Sequence, residues 1–208
     1  MIKDGKFIPC CGIDEAGRGP LAGPVCAAAV ILNEDFPIDL LNDSKKMTAS
    51  SRAETRRIIL DKALFCGIGW ASHTEIDEIN ILQASLLAMK RAFEDMKKKA
   101  DVQLKQQVQL KQQAQFMSGE ITAIVDGKFT PDISMPCKAL VKADAQIPEV
   151  MAASILAKTE RDDYMEKMAI LYPQYGYAKH KGYPTKAHRA AVKKYGPSPI
   201  QRLSFKVK

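Results

Sequence analysis

The sequence of 208 residues predicts an α/β protein, and three observations carry that prediction. Short apolar runs of strand character alternate with longer stretches of helical periodicity. One run, PVCAAAVIL (24–32), is apolar almost throughout, as a strand buried on both faces must be. Apolar residues make up 46% of the chain, enough at this length for one domain with a sizeable core.

Taken in order, Phe7 to Asp14 reads as the first strand and the apolar run just quoted as the second. LNDSKKMTASSRAETRRIILDKA (41–63) reads as a loop and then a helix, with Thr48 or Ser50 as the N-cap that accepts a free first-turn N–H. LFCGIGWAS (64–72) is the third strand. Ile76 to Met96 is a helix, because Ile79, Leu82, Leu86, Met89, Phe93 and Met96 recur at three and four residues. VQLKQQVQLKQQAQ (102–115) repeats a six-residue unit nearly twice; it is expected to prolong that helix as a solvated arm or to be partly disordered. ITAIVDG is a fourth strand ending at Asp126, and CKALVKAD a short fifth ending at Asp144. Glu149 to Leu171 is helical, with Ala152, Ala153 and Ser154 allowing close packing. The remainder is punctuated by Pro and Gly, with a short helix around Thr185 to Lys194.

Charge is unevenly placed. The formal net charge is +7, and from Lys167 to Lys208 there are ten Lys or Arg and no Asp or Glu. Tyr172, Tyr175, Tyr177, Tyr183 and Tyr195 lie in the same tail. Basic groups that neutralise phosphate, interleaved with rings that pack on sugars, point to nucleic acid, although most of these tyrosines read as small-core residues. The five cysteines form no CxxC pair, which fits reduced thiols and argues against a thiolate metal site. MIKDGKF has no signal-peptide apolar stretch and no run is long enough to span a membrane, so a cytoplasmic protein is expected.

The loop GIDEAGRGPLAGP (12–24) holds the chemistry. Gly17-x-Gly19-x-x-Ala22 has dinucleotide-fold spacing, but prolines flank it and a strand follows where a helix N-terminus is required; a Walker A loop is absent. The acids are more telling. Asp14, Asp126 and Asp144 each close a strand, and Glu15 is adjacent to the first. Singly, each reads as a turn former. Side by side, four carboxylates repel, and cations must lie between them. All-oxygen ligands select Mg²⁺ or Mn²⁺, and two ions about 3.5–4 Å apart suit phosphodiester hydrolysis. Successive strand residues face opposite ways, so for Asp14 and Glu15 to share a site the strand must end or bulge between them.

GIDEAGRGPLAGP, NDSKKMT, IVDG, KADA with MAASILAKTERD, and HKGYPTKAH occur in this order. Together they closely resemble the ribonuclease HII family, over nearly the whole chain apart from the glutamine-rich insert. The resemblance implies a ribonuclease H-like fold: a mixed five-stranded sheet flanked by helices, with a helical C-terminal extension. It divides the chain into a catalytic domain, 1–170, carrying an insert at 97–117, and a basic, tyrosine-rich extension, 171–208. It implies a metal-dependent endonuclease that cuts RNA in RNA–DNA hybrids and on the 5′ side of single ribonucleotides in duplex DNA, leaving 5′-phosphate and 3′-hydroxyl ends. Carried over by position, Asp14, Glu15, Asp126 and Asp144 are the catalytic and metal-binding carboxylates. Gly17, Arg18 and Gly19 match the loop that grips the ribose 2′-hydroxyl, Tyr183 the tyrosine packing on the following deoxyribose, and Ser44, Lys45 and Lys46 a phosphate-contacting element. A monomer is expected, with hybrid or ribonucleotide-containing duplex as partner. A sliding clamp is carried as a further partner, although the ending QRLSFKVK lacks the paired aromatics of clamp-binding peptides. A junction resolvase of the same fold and a non-catalytic hybrid binder stay open as alternatives. Asp162 and Asp163 read as surface acids, Glu149 as a first-turn helix acid, His180 and His188 as backbone-contacting surface histidines, and Lys158 and Arg161 as phosphate contacts.

Overall fold

The structure, a computed structural model, describes residues 2–3, 6–7, 9–106 and 121–206. Strands β1 (Ile2–Lys3) and β2 (Lys6–Phe7) form a small antiparallel ribbon. Strand β4 (Val25–Leu32) runs antiparallel to both β3 (Cys10–Ala16) and β5 (Ala63–Ala71), with helix α1 (Ala49–Lys62) inserted before β5. Helix α2 (His73–Gln106) leads on to β6 (Thr122–Asp126) and β7 (Cys137–Leu140), which add in parallel on the far side of β3. The mixed sheet has the order β5-β4-β3-β6-β7, as expected for a ribonuclease H-like α/β fold. Helices α3 (Pro148–Leu171), α4 (Tyr177–His180) and α5 (Lys186–Tyr195) complete the chain. The glutamine-rich repeat is helical as far as Gln106, and its remainder lies outside the described residues.

Burial on both faces explains the apolar run of β4. Val25, Ala27, Ala29 and Ile31 pack with α2, while Ala28, Val30 and Leu32 pack with α1 and α3. The helix caps fall where hydroxyls permit them. Thr48 accepts from the Ser51 N–H at 3.1 Å, and Thr185 accepts from the His188 N–H at 3.2 Å.

Three expectations need correcting. The first strand begins at Cys10 and continues through Ala16, with Asp14 opposite Ala28 and Glu15 opposite Ala27 in unbroken register, so no bulge separates the two acids. Asp144 does not end a strand. β7 stops at Leu140, Lys142 turns the chain at φ 60°, and Asp144 sits in a 3₁₀ turn, Ala143–Ala145. The buried stripe of α2 is built from Ala84, Ala88, Met89, Ala92, Phe93, Met96 and Ala100 rather than from Ile79, which is 37% exposed. Asn80, at φ 67°, breaks that helix about two turns in, and its Oδ1 caps the onward segment by accepting from the N–H groups of Leu82 and Gln83.

Alanines face the sheet because the helix backbone comes very close to it. A Cβ on Gly69 would fall 2.1 Å from the Ala88 carbonyl oxygen, and one on Gly67 would fall 2.3 Å from that of Ala92. No side chain can yield at a backbone–backbone contact. Gly69→Ala is therefore expected to lower the free energy of unfolding by about 2–3 kcal/mol, read from a urea melt at unchanged slope. An unshifted midpoint would contradict this packing.

Candidate active site

A groove of about 260 Å³ opens at the end of the sheet where β3 and β6 terminate. Asp14, Glu15, Gly17, Arg18, Gly19, Ser44, Lys45, Asp126 and Tyr183 line it, together with Ser154 and Lys158 of α3. A larger hollow of about 500 Å³ beside Trp70 and Tyr164 is the roomier space, but its carboxylate, Glu75, is already paired with Arg91 at 2.7 Å. The smaller groove, lined by three carboxylates, is therefore the candidate site.

The strand termini place the acids. Asp14 and Asp126 reach it from neighbouring parallel strands, and both line the groove although Asp14 and Glu15 are successive strand residues. Asp14 accepts from the Glu15 N–H at 2.8 Å. Asp126 accepts from the Ala143 N–H at 2.8 Å, which ties the 3₁₀ turn bearing Asp144 to the end of β6. Burial, then repulsion from Glu15 and Asp126, holds the Asp14 carboxyl well above the usual carboxylate range. Burial also raises Glu15, against the nearby Arg18, and raises Asp126, where the Asp144 charge adds to it.

Side-chain cations partly offset this crowding. Lys45 Nζ lies 3.3 Å from Asp144 Oδ2, and Arg18 Nη1 lies 3.3 Å from Glu15 Oε1. Burial works against the Lys45 ammonium, yet its bond to Asp144 and the fields of Asp144 and Asp14 raise its pKa overall. With the acids held this way, no group of three or more metal-ligating side chains is drawn up around a single point among the described residues. The donor set nonetheless fits a hard divalent ion: it is all oxygen, its carboxylates repel one another, and the second oxygen of Glu15 is buried with no hydrogen-bond partner.

The glycine loop forms one wall. Gly17 adopts φ +103°, and a Cβ there would lie 2.0 Å from Arg161 Nε, so only glycine fits. Across from it the exposed Tyr183 ring stands beside Gly19, where an added Cβ would lie 3.5 Å from the ring. Ser44 and Lys45 belong to the groove, whereas Lys46 lines a separate hollow with Asp39 and Glu54. Ser44 is buried and shares a 3.0 Å hydrogen bond with Ser154, whose hydroxyl also bonds Asp14.

Other sequence expectations shift. Asp162 and Asp163 are not idle surface acids: Arg52 reaches Asp162 at 3.8 Å and Arg56 reaches Asp163 at 2.8 Å, docking α1 on α3. Arg52 also donates to the Ser44 and Met47 carbonyls, fixing the loop that carries Lys45. Glu149 is completely buried at the first turn of α3. His188 is buried as well and stacks on His180 at 4.6 Å between ring centres, so this pair packs the C-terminal segment together. Arg161 is 1% exposed and faces carbonyl groups, out of reach of any phosphate. Sequence reasoning treated Ser154 as a packing residue only and passed over Arg202. The one local hint at Arg202 is an arginine set among Ile200, Leu203 and Phe205.

Asp126→Asn keeps the acceptor for Ala143 and removes one repelling charge. It should raise the ion-free Tm by about 2–4 °C, and the rise in Tm that Mn²⁺ or Mg²⁺ gives the parent protein should disappear. A parent Tm indifferent to both ions would contradict the metal-site reading.

The model of the ribonuclease HII family matches residues 11–208. A ribonuclease HII of Treponema denticola is 55% identical over 201 residues, covering 95% of this chain and 98% of that protein. Among solved structures, an Archaeoglobus fulgidus ribonuclease HII, solved as a complex with PCNA, aligns with a TM-score of 0.67 at 22% identity, covering 97% and 96% of the two chains. A Bst ribonuclease HIII in complex with Mn²⁺ aligns with a TM-score of 0.69 at 15% identity, covering 96% of this chain and 68% of that one.

Proposed function

This chain belongs to the ribonuclease HII family and is a nuclease that acts on the RNA of RNA–DNA hybrids; from that premise we propose that it also cuts on the 5′ side of single ribonucleotides embedded in duplex DNA. The observation that carries the proposal is the groove itself. Asp14, Glu15 and Asp126 line one side of it, the Gly17-Arg18-Gly19 turn forms another wall, and the exposed Tyr183 ring stands against Gly19. Only the 2′-hydroxyl distinguishes RNA from DNA at a given nucleotide, and a close backbone turn is small enough to test for it. A ring beside that turn can pack on a sugar that lacks the hydroxyl.

Asp14, Glu15, Asp126 and Asp144 would hold two divalent ions, Mg²⁺ or Mn²⁺; the Mn²⁺ complex of the ribonuclease HIII neighbour supports this choice. When bound, such ions supply a nucleophilic water and offset charge on the leaving oxygen. The remaining work belongs to the chain. Ser154 orients Asp14, and the Ala143 N–H orients Asp126. Lys45 exchanges its Asp144 contact for a phosphate oxygen, while Lys158, at 2.6 Å from Asp162, stays at the groove wall. Ser44 supports this wall from beneath, and Lys46, on the adjoining hollow, meets more distant backbone. Lys186, Arg189 and Lys193 are exposed on α5 at spacings of three and four, so one helix face can follow a phosphate backbone.

A sliding clamp is the second partner to consider, because the archaeal structural neighbour was solved with PCNA. In this chain Phe205 packs under the Arg202 guanidinium, at 5.1 Å, and does not project as a free peptide anchor.

A labelled duplex with one ribonucleotide, incubated with and without Mg²⁺, tests the reading. Cleavage should need the ion and leave the ribonucleotide at the 5′ end of the downstream fragment. Asp14→Asn should abolish turnover while hybrid affinity stays within about threefold. Tyr183→Ala should cut the rate at a lone ribonucleotide by about tenfold or more and spare a long hybrid relatively. An enzyme that cuts an all-DNA junction instead, or an unimpaired Tyr183 variant, would overturn it.

A further inference from the structure

Arg202 is fully buried and uses every N–H of its guanidinium on main-chain carbonyls of the glycine-rich loop. Nε donates to Gly23 at 2.8 Å. Nη1 donates to Arg18 at 3.0 Å and Pro20 at 2.8 Å. Nη2 donates to Gly17 at 2.6 Å and Pro24 at 3.2 Å. No carboxylate shares these bonds. The Arg202 N–H adds a bond to the Leu21 carbonyl, and the Gly23 N–H bonds the Ile200 carbonyl, so the two segments are laced at several points. Nothing about this resembles a surface arginine that happens to be covered: the donor fork is saturated by one loop.

The direction of those carbonyls has a consequence for the groove. All peptide bonds are trans among the described residues, so each C=O points opposite to the N–H of the next residue. With the Gly17 and Arg18 oxygens turned inward to Arg202, the N–H groups of Arg18 and Gly19 turn outward, and both residues line the groove. Neither N–H has an acceptor among the described residues. Two adjacent, unspent donors thus face the place where a sugar or phosphate oxygen would lie.

We propose that Arg202 is a positioning residue that sets ribonucleotide recognition by fixing the direction of the Arg18 and Gly19 amides. This rests on the reading that the glycine loop senses the 2′-hydroxyl. A lysine in its place keeps the charge but offers three donors in no fixed fork, and cannot hold five carbonyls in one plane. The loop then samples other peptide orientations and the two donors lose their aim.

The test uses the Asp126→Asn background, which is expected to bind without cutting, and compares affinity for a duplex holding one ribonucleotide with its all-deoxy counterpart. The parent background should prefer the ribonucleotide duplex; no preference would overturn the reading of the loop, and the role of Arg202 with it. Arg202→Lys should keep its far-ultraviolet circular dichroism and a cooperative melt while losing about tenfold of that preference. A folded Arg202→Lys protein with the full preference would overturn the role of Arg202 alone and leave the loop reading standing. Arg202→Ala gives a second readout: methylguanidinium should restore the preference, and methylammonium should not. Equal effects of the two cations would count against a role for the fork.

Discussion

Two guanidinium ions buried without a carboxylate hold this molecule together. Arg202 and Arg161 lie side by side in the interior, and main-chain carbonyls do the work that water or a counter-ion would otherwise do. Arg161 donates to Pro24 at 2.9 Å, to Lys181 at 3.0 Å and to Ala22 at 3.1 Å. A buried charge is costly unless every donor is satisfied, so the loop cannot relax away from the pair without exposing that cost. Burial first, and the charge of Arg161 next, pushes Arg202 down to about 9, which still leaves it protonated at neutral pH. The arrangement joins residues 17–24 to the last described residues and to the middle of α3, three parts far apart in the chain.

The neighbouring acids pose the opposite problem. Asp14, Glu15 and Asp126 repel one another at the end of the sheet, and burial makes each harder to ionise. A fold selected for stability alone would not gather them. Arg18, Lys45 and a few N–H groups make the arrangement tolerable, and the strain that remains is what a divalent ion would relieve. The rigid loop and the crowded acids thus form two walls of one groove, each held by a different kind of electrostatic compensation.

Helix α3 links the two. Its Ser154 bonds Asp14, its Lys158 lines the groove, and its Arg161 supports the glycine loop, at successive intervals of three or four residues along one face. It also receives Arg52 and Arg56 from α1, and Arg52 in addition fixes the loop carrying Ser44 and Lys45. Among the described residues no helix is long and apolar enough to cross a membrane.

The sequence by itself determined the number and chain order of the five sheet strands, the limits of α3 and α5 to within a residue, Thr48 as one of two candidate caps for α1, and a set of acids placed to meet beside a glycine turn. These depend on local chemistry: side-chain period, hydroxyl capping and the backbone freedom of glycine. Only the tertiary structure decided that Asp144 sits in a 3₁₀ turn, that Glu15 continues an unbroken strand, that Lys46 lies apart from Lys45, and that Arg161 and Arg202 face inward. Charge and propensity say that an arginine needs acceptors. They do not say whether those acceptors are phosphates outside the protein or carbonyls of a loop some 180 residues away, because that depends on which segments the fold brings together.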